Sequence, residues 1–538
     1  MIPTDTADTP SRFTLHFPLV AAVVLQPELS GAIAASLALC VGLISIHYAM
    51  TVVILWLALF AFYLERRLLD YVIMPPFVIV TAWTALGLGL GVSLLVYASG
   101  GLFNRELAMM QGLHIALYPL MFAAYRFGFG KPPRMVFPSN SPDFEKNVIR
   151  PLVALGWILF GWRVIQLTVF AATGAEDRGY NSVSARFDML DPQGAQYGVW
   201  TFFAVFPRLN FLGFVLFPLI WSRAGGLLRS VLLALLGFYL LLAFAGGSRG
   251  TFLYPLLFIG IGTFFFCRLR TIRLELVGIG LLAAMIPVIT FMDHFRGTQT
   301  YQITRTLDLT SRLGAVTEAQ EHYQESASGN TDWSNLQILG DALIGIKDLF
   351  IYRMTPSQVP YAGFEGFEAI PYTWLPSYLF RGKPKLEDGM SIMYQYLGED
   401  LLTNITISTT ADCYRRFGWL GVPVGVALTW FIYGWLCGKA YRTFLNRNAL
   451  FGAMLILYAF SFFCGGTFST LLATWWTVAY ELPKHLLAFG FLYWLVTTLV
   501  PVSSRQGALA YALSKAPAPP PRQRQAAVIA RESSIPLQ

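Results

Sequence analysis

The chain has 538 residues, of which 55% are hydrophobic, 15% aromatic and only 13% charged, with a mean hydropathy of +0.55. Such a composition excludes an ordinary soluble domain and a disordered chain, and places the protein in lipid. The formal charge of +8 is carried largely by short connections between apolar stretches, and no nucleic-acid partner is expected.

A hydrocarbon core of about 30 Å needs roughly 20 apolar residues per helix. Runs of that kind fall, in chain order, at 17–44, 48–64, 73–97, 106–125, 151–173, 198–221, 229–246, 250–266, 274–292, 418–438, 449–465 and 483–502. Pro27 and Glu28 interrupt the first, and only His47 and Tyr48 lie at its border with the second. The predicted fold is therefore all-α: a polytopic integral membrane helix bundle of about twelve spans with one large external loop. Residues 1–292 form an N-terminal membrane bundle, 293–417 a loop of 125 residues, 418–502 the C-terminal spans, and 503–538 a disordered tail marked by the Pro-rich stretch Pro517 to Arg524.

Lys and Arg in short loops resist translocation, so their distribution sets the orientation. One set of alternate loops carries Arg66 and Arg67, then Arg126, Lys131, Arg134, Lys146 and Arg150, then Arg223 and Arg229, Arg268, Arg270 and Arg273, and finally Lys439, Arg442 and Arg447. The opposite short connections carry Arg105, Arg178, Arg186 and Arg249. Both termini are then expected in the cytoplasm and the long loop outside it. This arrangement makes Gly465 to Leu482 a re-entrant or interfacial segment rather than a further span, with Trp475, Trp476 and Tyr480 suited to the headgroup region. The early apolar run is followed by another span and has no convincing cleavage site, which argues against a removable signal peptide.

Cysteines and histidines mainly exclude possibilities. Cys40, Cys267, Cys437 and Cys464 lie in or beside spans and Cys413 stands alone in the loop, so no disulfide framework and no Cys-x-x-Cys metal site is expected. The six histidines show no ligand spacing, and Asp-x-Asp, Walker and dinucleotide glycine motifs are absent. Neither a metal nor an organic cofactor is expected.

The most informative short motif is Gly246-Gly247-Ser248-Arg249-Gly250, between two apolar runs at the outer face. Its glycines permit a tight turn, and the next helix points its positive dipole end at the outer leaflet beside a guanidinium able to hold two phosphate oxygens. Ser248 and Arg249 thus suggest a diphosphate cradle; a turn whose arginine reaches lipid headgroups is the bland alternative. Two further arginines lie within apolar sequence, where ionised groups face a cavity or a partner. Arg208 is placed either to face a cleft opening outward or to pair structurally, whereas Arg163 sits nearer the centre and suits structural pairing.

Within the long loop, Asn335 to Met354 repeats Leu336, Leu339, Leu343, Ile346 and Phe350 at helical spacing, which predicts an amphipathic helix on the membrane or against the bundle. Trp374 to Lys385 then sets Arg381, Lys383 and Lys385 among aromatics, a combination suited to sugar rings and phosphate. The loop closes with Asp412, Arg415 and Arg416 leading directly into the tenth run. At its other end Asp293, His294 and Arg296 leave the ninth. Asp412, Asp293 and His294 are the candidate general bases, each weighed against a structural role. Acidic side chains outnumber basic ones in the loop, 15 to 10, so its cations matter by position.

Taken together, the Gly247-Ser248-Arg249-Gly250 turn, the stretch from Leu375-Pro376 to Lys383-Pro384 and the Tyr414 to Gly421 pattern (YRRFGWLG) resemble the multi-spanning oligosaccharide repeat-unit polymerases, the Wzy-type O-antigen and exopolysaccharide polymerases. The resemblance runs from about the third span to the end. It implies an inverting glycosyl transfer at the outer face of a bacterial inner membrane, with undecaprenyl-diphosphate-linked glycans as donor and acceptor. Arg249, Arg296, Arg381, Arg415 and Arg416 would hold the leaving diphosphate in place of a metal. Membrane lipids and a chain-length regulator are the other partners it implies. An O-antigen ligase and a flippase or other transporter are the rival readings, and the long external loop is unexpected for a transporter.

Overall fold

Pro27, which interrupts the first apolar run in the sequence, is the residue that starts the first helix. Its ring fixes a helical φ and its missing N–H falls where a helix has no use for one. The computed structural model describes residues 26–65, 76–100, 104–130, 145–173, 207–245, 249–266, 347–374, 407–446, 449–464 and 470–500, with Val23, Phe291, Phe295, Gly314, 316–321, Ile392 and 395–396. These residues are 90% helical and contain no strand.

In chain order the helices are α1 (Pro27–Gly42), α2 (Ile46–Leu64), α3 (Pro76–Thr84), α4 (Val92–Ala98), α5 (Arg105–Phe129), α6 (Arg150–Thr173), α7 (Pro207–Arg223), α8 (Gly226–Ala245), α9 (Arg249–Phe266), α10 (Lys347–Met354), α11 (Thr409–Asn446), α12 (Ala449–Cys464), α13 (Leu471–Trp476) and α14 (Leu482–Leu499). π-Helical stretches join α3 to α4 (Ala85–Gly91), precede α6 (Glu145–Ile149) and join α13 to α14 (Thr477–Glu481). Seven segments among the described residues are long and apolar enough to cross a membrane; Pro27–Gly42 and Leu212–Arg223 are shorter apolar helices. The expected run at 274–292 and the tail 503–538 lie outside the described residues, as do most of 293–346 and 375–406.

Two helices form the spine. α5 and α11 run parallel, and their backbones meet where glycine removes the side chain. A Cβ on Gly434 would collide with the Tyr125 carbonyl, one on Gly438 with the Phe129 carbonyl, and one on Gly128 with the Phe431 carbonyl. Gly434-x-x-x-Gly438 is thus a small-residue seam of the kind that brings membrane helices close in the absence of a hydrophobic driving force. Arg442 finishes the seam by donating from Nη1 to the Phe129 carbonyl at 3.0 Å, which satisfies a terminal acceptor of α5. Hereafter the end of the bundle where α11 begins is the upper end and the other the lower end.

Around this spine, α2 and the stretch Ala85–Gly91 pack against α5, with α3 and α4 on α2, while α6, α7, α8 and α9 form a second group reached through α12. Phe77 of α3 seats that helix on the spine, with its ring 5.6 Å from Tyr118, 5.3 Å from Tyr125 and 5.2 Å from Trp430. A buried polar network holds the upper ends of α2 and α5 together. The Asn104 amide donates to His47 Nε2 at 3.2 Å, and since an amide only donates, the imidazole proton resides on Nδ1, which donates to Gln111 Oε1 at 3.1 Å. Gln111 Nε2 reaches the Leu88 carbonyl at 2.9 Å and Thr51 Oγ1 at 3.1 Å, while Thr51 donates to the Gly89 carbonyl at 3.1 Å. Carbonyls of the π-helical stretch therefore serve as acceptors inside the bundle.

Of the expected re-entrant or interfacial segment Gly465 to Leu482, residues 465–469 lie outside the described residues; from Leu471 onward the chain is helical and continues through the π-helical stretch into α14. Pro483 has no N–H to offer one turn back, which accounts for a widened stretch just before it. Residues 471–499 extend roughly 43 Å at 1.5 Å per residue, more than the core of a bilayer needs. The surplus lies at the upper end, where Trp475 is exposed.

Candidate functional site

The loop and the tenth apolar run meet differently from the sequence expectation. Helix α11 begins at Thr409, nine residues before the run at Gly418, because Ser408 caps it: its Oγ accepts from the Ala411 amide at 3.2 Å. The Ser408 amide in turn donates to the buried Asp348 carboxylate of α10 at 3.0 Å, which fixes α10 beside the start of α11. Only Lys347–Met354 of the expected amphipathic helix falls in the described residues, and it is helical.

Gly418 divides α11 by a kink, with φ of 64° and ψ of −158°, a left-handed conformation that favours glycine. The Tyr361 hydroxyl lies 3.0 Å from where a Cβ would sit, so packing also demands glycine there. Pro423 adds to the break, since it cannot bond to the carbonyl of Trp419.

The kink sets the residues just before it under the bundle's upper surface. Asp412, Arg415 and Arg416 form one buried cluster, each 1% exposed or less. Asp412 Oδ1 accepts from Arg415 Nη2 at 3.0 Å and from Arg416 Nε at 3.1 Å. Asp412 Oδ2 accepts from the Leu471 amide at 2.8 Å and from Arg416 Nε at 3.2 Å. Arg416 Nη1 donates onward to the Gly363 carbonyl at 3.1 Å and the Glu365 carbonyl at 2.7 Å, and its guanidinium lies 5.2 Å from the Phe367 ring centroid. The amides of Ala362 and Gly363 return bonds to the carbonyls of Arg415 and Arg416, both at 3.1 Å.

One carboxylate thus joins three chain segments: the first turns of α11, the turn at 361–367, and the first amide of α13. The last contact is a helix N-terminus capped by an anion. Carboxylate lone pairs used in this way are not available to take a proton from an attacking hydroxyl. The geometry gives Asp412 an anchoring role in place of the general-base role suggested by sequence. Arg415 and Arg416 are brought together with it, as their spacing in sequence suggests.

Aromatic rings form a shelf over the cluster. Tyr414 lies 5.3 Å from Tyr352 and 4.6 Å from Trp419, and Phe364 lies 5.0 Å from Phe417, all as ring centroids. Tyr414 also donates from its hydroxyl to the Thr355 carbonyl at 3.1 Å. Burial pushes the Tyr352 phenol well above its ordinary value, so it remains a neutral hydrogen-bonding group. Tyr361, Phe364 and Trp419 are exposed.

Other sequence candidates lie elsewhere or outside the described residues. Ser248, Asp293, His294, Arg296, Arg381 and Lys383 are outside them, and Arg208 and Arg249 are described only as backbone positions on α7 and α9. Arg249 is nonetheless the first residue of α9, as the sequence suggests. Arg163 is buried, donates from Nη1 to Gln166 Oε1 at 3.0 Å and sits 5.7 Å from the Tyr239 ring centroid, in keeping with structural pairing. Among the described residues no group of three His, Cys, Asp or Glu converges to hold a metal ion.

Seven apolar membrane-length helices in an all-helical bundle make this chain a polytopic membrane protein. Comparisons with family models, with curated proteins and with solved structures found no match.

Proposed function

We propose that the protein is a membrane glycosyltransferase that polymerises undecaprenyl-diphosphate-linked oligosaccharide repeat units at the outer face of a bacterial inner membrane, with both termini in the cytoplasm. The observation that carries this reading is the group of exposed aromatic rings, Tyr361, Phe364 and Trp419, at the upper end of α11, held in place by the buried Asp412, Arg415 and Arg416 cluster. Aromatic faces suit the sugar rings of a lipid-linked glycan. The same segment, Tyr414 to Gly421, carries the resemblance to repeat-unit polymerases.

In this reading Arg249 at the start of α9 stabilises charge on the diphosphate, while Arg415 and Arg416, enclosed and bonded to Asp412, hold the wall of the site beneath the aromatic rings. The base that takes the proton of the acceptor hydroxyl is then sought at Asp293 or His294. Arg296, Arg381 and Lys383 supply further cations from the loop, Ser248 belongs to the cradle before α9, and Arg208 lines the cleft.

The deciding experiment is reconstitution. Purified protein in detergent is given lipid-linked repeat units, and products are resolved by size. A ladder of lengthened glycans is the expected result, abolished by Arg249→Ala in protein that still inserts into membranes. Long chains persisting in that variant would overturn the role of Arg249. Transfer of finished glycan to a lipid A core would identify a ligase, and absence of any transfer would return the chain to the transporters.

A further inference from the structure

At the lower end of the spine a carboxylate is buried in a place that serves it poorly. Glu65 follows directly on α2, and its side chain is 0% exposed. Its Oε2 has Arg126 Nη1 at 3.5 Å, the limit of a hydrogen bond, and its Oε1 is buried with no hydrogen-bond partner among the described residues. The Tyr125 hydroxyl, adjacent in sequence to Arg126 and within electrostatic range of Glu65, is also buried without one. The surroundings cannot readily shift to repair this, because Tyr125 and Phe129 are the residues whose backbones abut Gly434 and Gly438.

An ionised carboxylate accepts about four hydrogen bonds, and here it receives one long one. A neutral carboxyl needs less, since one oxygen becomes a donor and no charge is left in the interior. We propose that Glu65 is a proton-binding site, taking up a proton from water at the lower end of the bundle and releasing it in exchange for the Arg126 guanidinium. In the uptake step hydronium gives its proton to the carboxylate, an O–H bond forms, water leaves, and the ion pair with Arg126 opens; no electrons are transferred. Arg126 is 25% exposed in its side chain, so the freed cation turns to water or to an anionic headgroup.

Among the described residues the groups that face this carboxyl are few. From α5 come Tyr118, Tyr125 and Arg126, and from α11 comes Cys437 with its neighbours Tyr433 and Tyr441. Helix α3, which packs on α2, brings no titratable residue. Arg126 is therefore the cation among these that competes with the proton. Burial raises the Glu65 carboxyl from its ordinary 4.5 to about 7, against the opposing pull of Arg126, which puts the exchange in the neutral range. This inference is independent of the glycan reading.

The test treats full-length protein in detergent with a hydrophobic carbodiimide, which reacts with protonated carboxyls, and reads labelled peptides by mass spectrometry. Labelling of Glu65, normalised to the total amount of the peptide recovered, is expected to fall as the pH rises through about 7. Arg126→Ala, which removes the competitor, is expected to move that fall to higher pH. Infrared difference spectra supply a second readout that needs no reagent access: a protonated-carboxyl band that titrates over the same range and is missing in Glu65→Gln. Lack of that band overturns the proposal, and so does Glu65 labelling that is indifferent to pH.

Discussion

Replacing Asp412 by Asn keeps the side chain's size and removes its charge. Two guanidiniums, 0% exposed in their side chains, then lose the anion that neutralises them, and the new amide can accept through one oxygen where the carboxylate accepted through two. Breaking a buried ion pair by removing one partner costs about 3 to 5 kcal/mol. The Leu471 amide, bonded to Asp412 at 2.8 Å, is at risk of losing its acceptor as well, about 1 to 3 kcal/mol if it stays buried. At about 1 °C per kcal/mol for a chain of this size, loss of the ion pair alone is expected to lower the melting temperature by roughly 3 to 5 °C. Melting of detergent-purified protein measures this, and limited proteolysis at the 361–367 turn, held through Arg416, should become faster. Replacing Asp412, Arg415 and Arg416 together with apolar residues of similar volume should recover much of the loss, since no uncompensated charge is left behind. An Asp412→Asn protein that melts like the parent yet makes no polymer would refute the anchoring argument and restore the general-base role.

Three further outcomes follow from other parts of the bundle. Gly434→Ala places a methyl against the Tyr125 carbonyl and should cost about 1 to 3 kcal/mol, seen as a lower melting temperature, whereas Gly490→Ala, with open space around it, should not. His47→Ala removes the acceptor of the Asn104 amide and the donor to Gln111; a loss of about 1 to 3 kcal/mol is expected, with faster amide exchange at the start of α5. Because the folded state holds the Glu65 proton more tightly than the unfolded chain does, its contribution to stability is full below 4.5 and is lost as the pH rises to about 7. Melting temperature measured across that window should fall more steeply in the parent than in Glu65→Gln.

Much of the architecture is legible from single residues. Asn104 and Ser45 cap α5 and α2 where polar residues precede apolar runs, and Gly130, at φ of 74°, closes α5 as a glycine after a helix commonly does. Gly434-x-x-x-Gly438 carried a readable signal for a close helix pair, and the arginines at 415 and 416 stood out as cations entering a span. The partners of those arginines did not. Asp412 looks in sequence like a carboxylate near a surface, and only the distant carbonyls of Gly363 and Glu365 and the amide of Leu471 reveal it as a hub. Glu65, an acidic residue at the end of an apolar run, gives no sign in the sequence of being buried against α5.

What the sequence by itself determined is the solvent and the element: apolar runs of membrane length can satisfy their backbone in lipid only as helices or a closed barrel, and their length and continuity select helices. What only the tertiary structure decided is which polar groups meet inside the bundle. Interhelical bonds such as Asn104 to His47, or Leu471 to Asp412, join residues 57 and 59 positions apart, and no periodicity within either helix encodes the register that aligns them. That register comes from close packing at Gly434 and Gly438, from the kink at Gly418, and from the cost of leaving a charge in the interior without its partner.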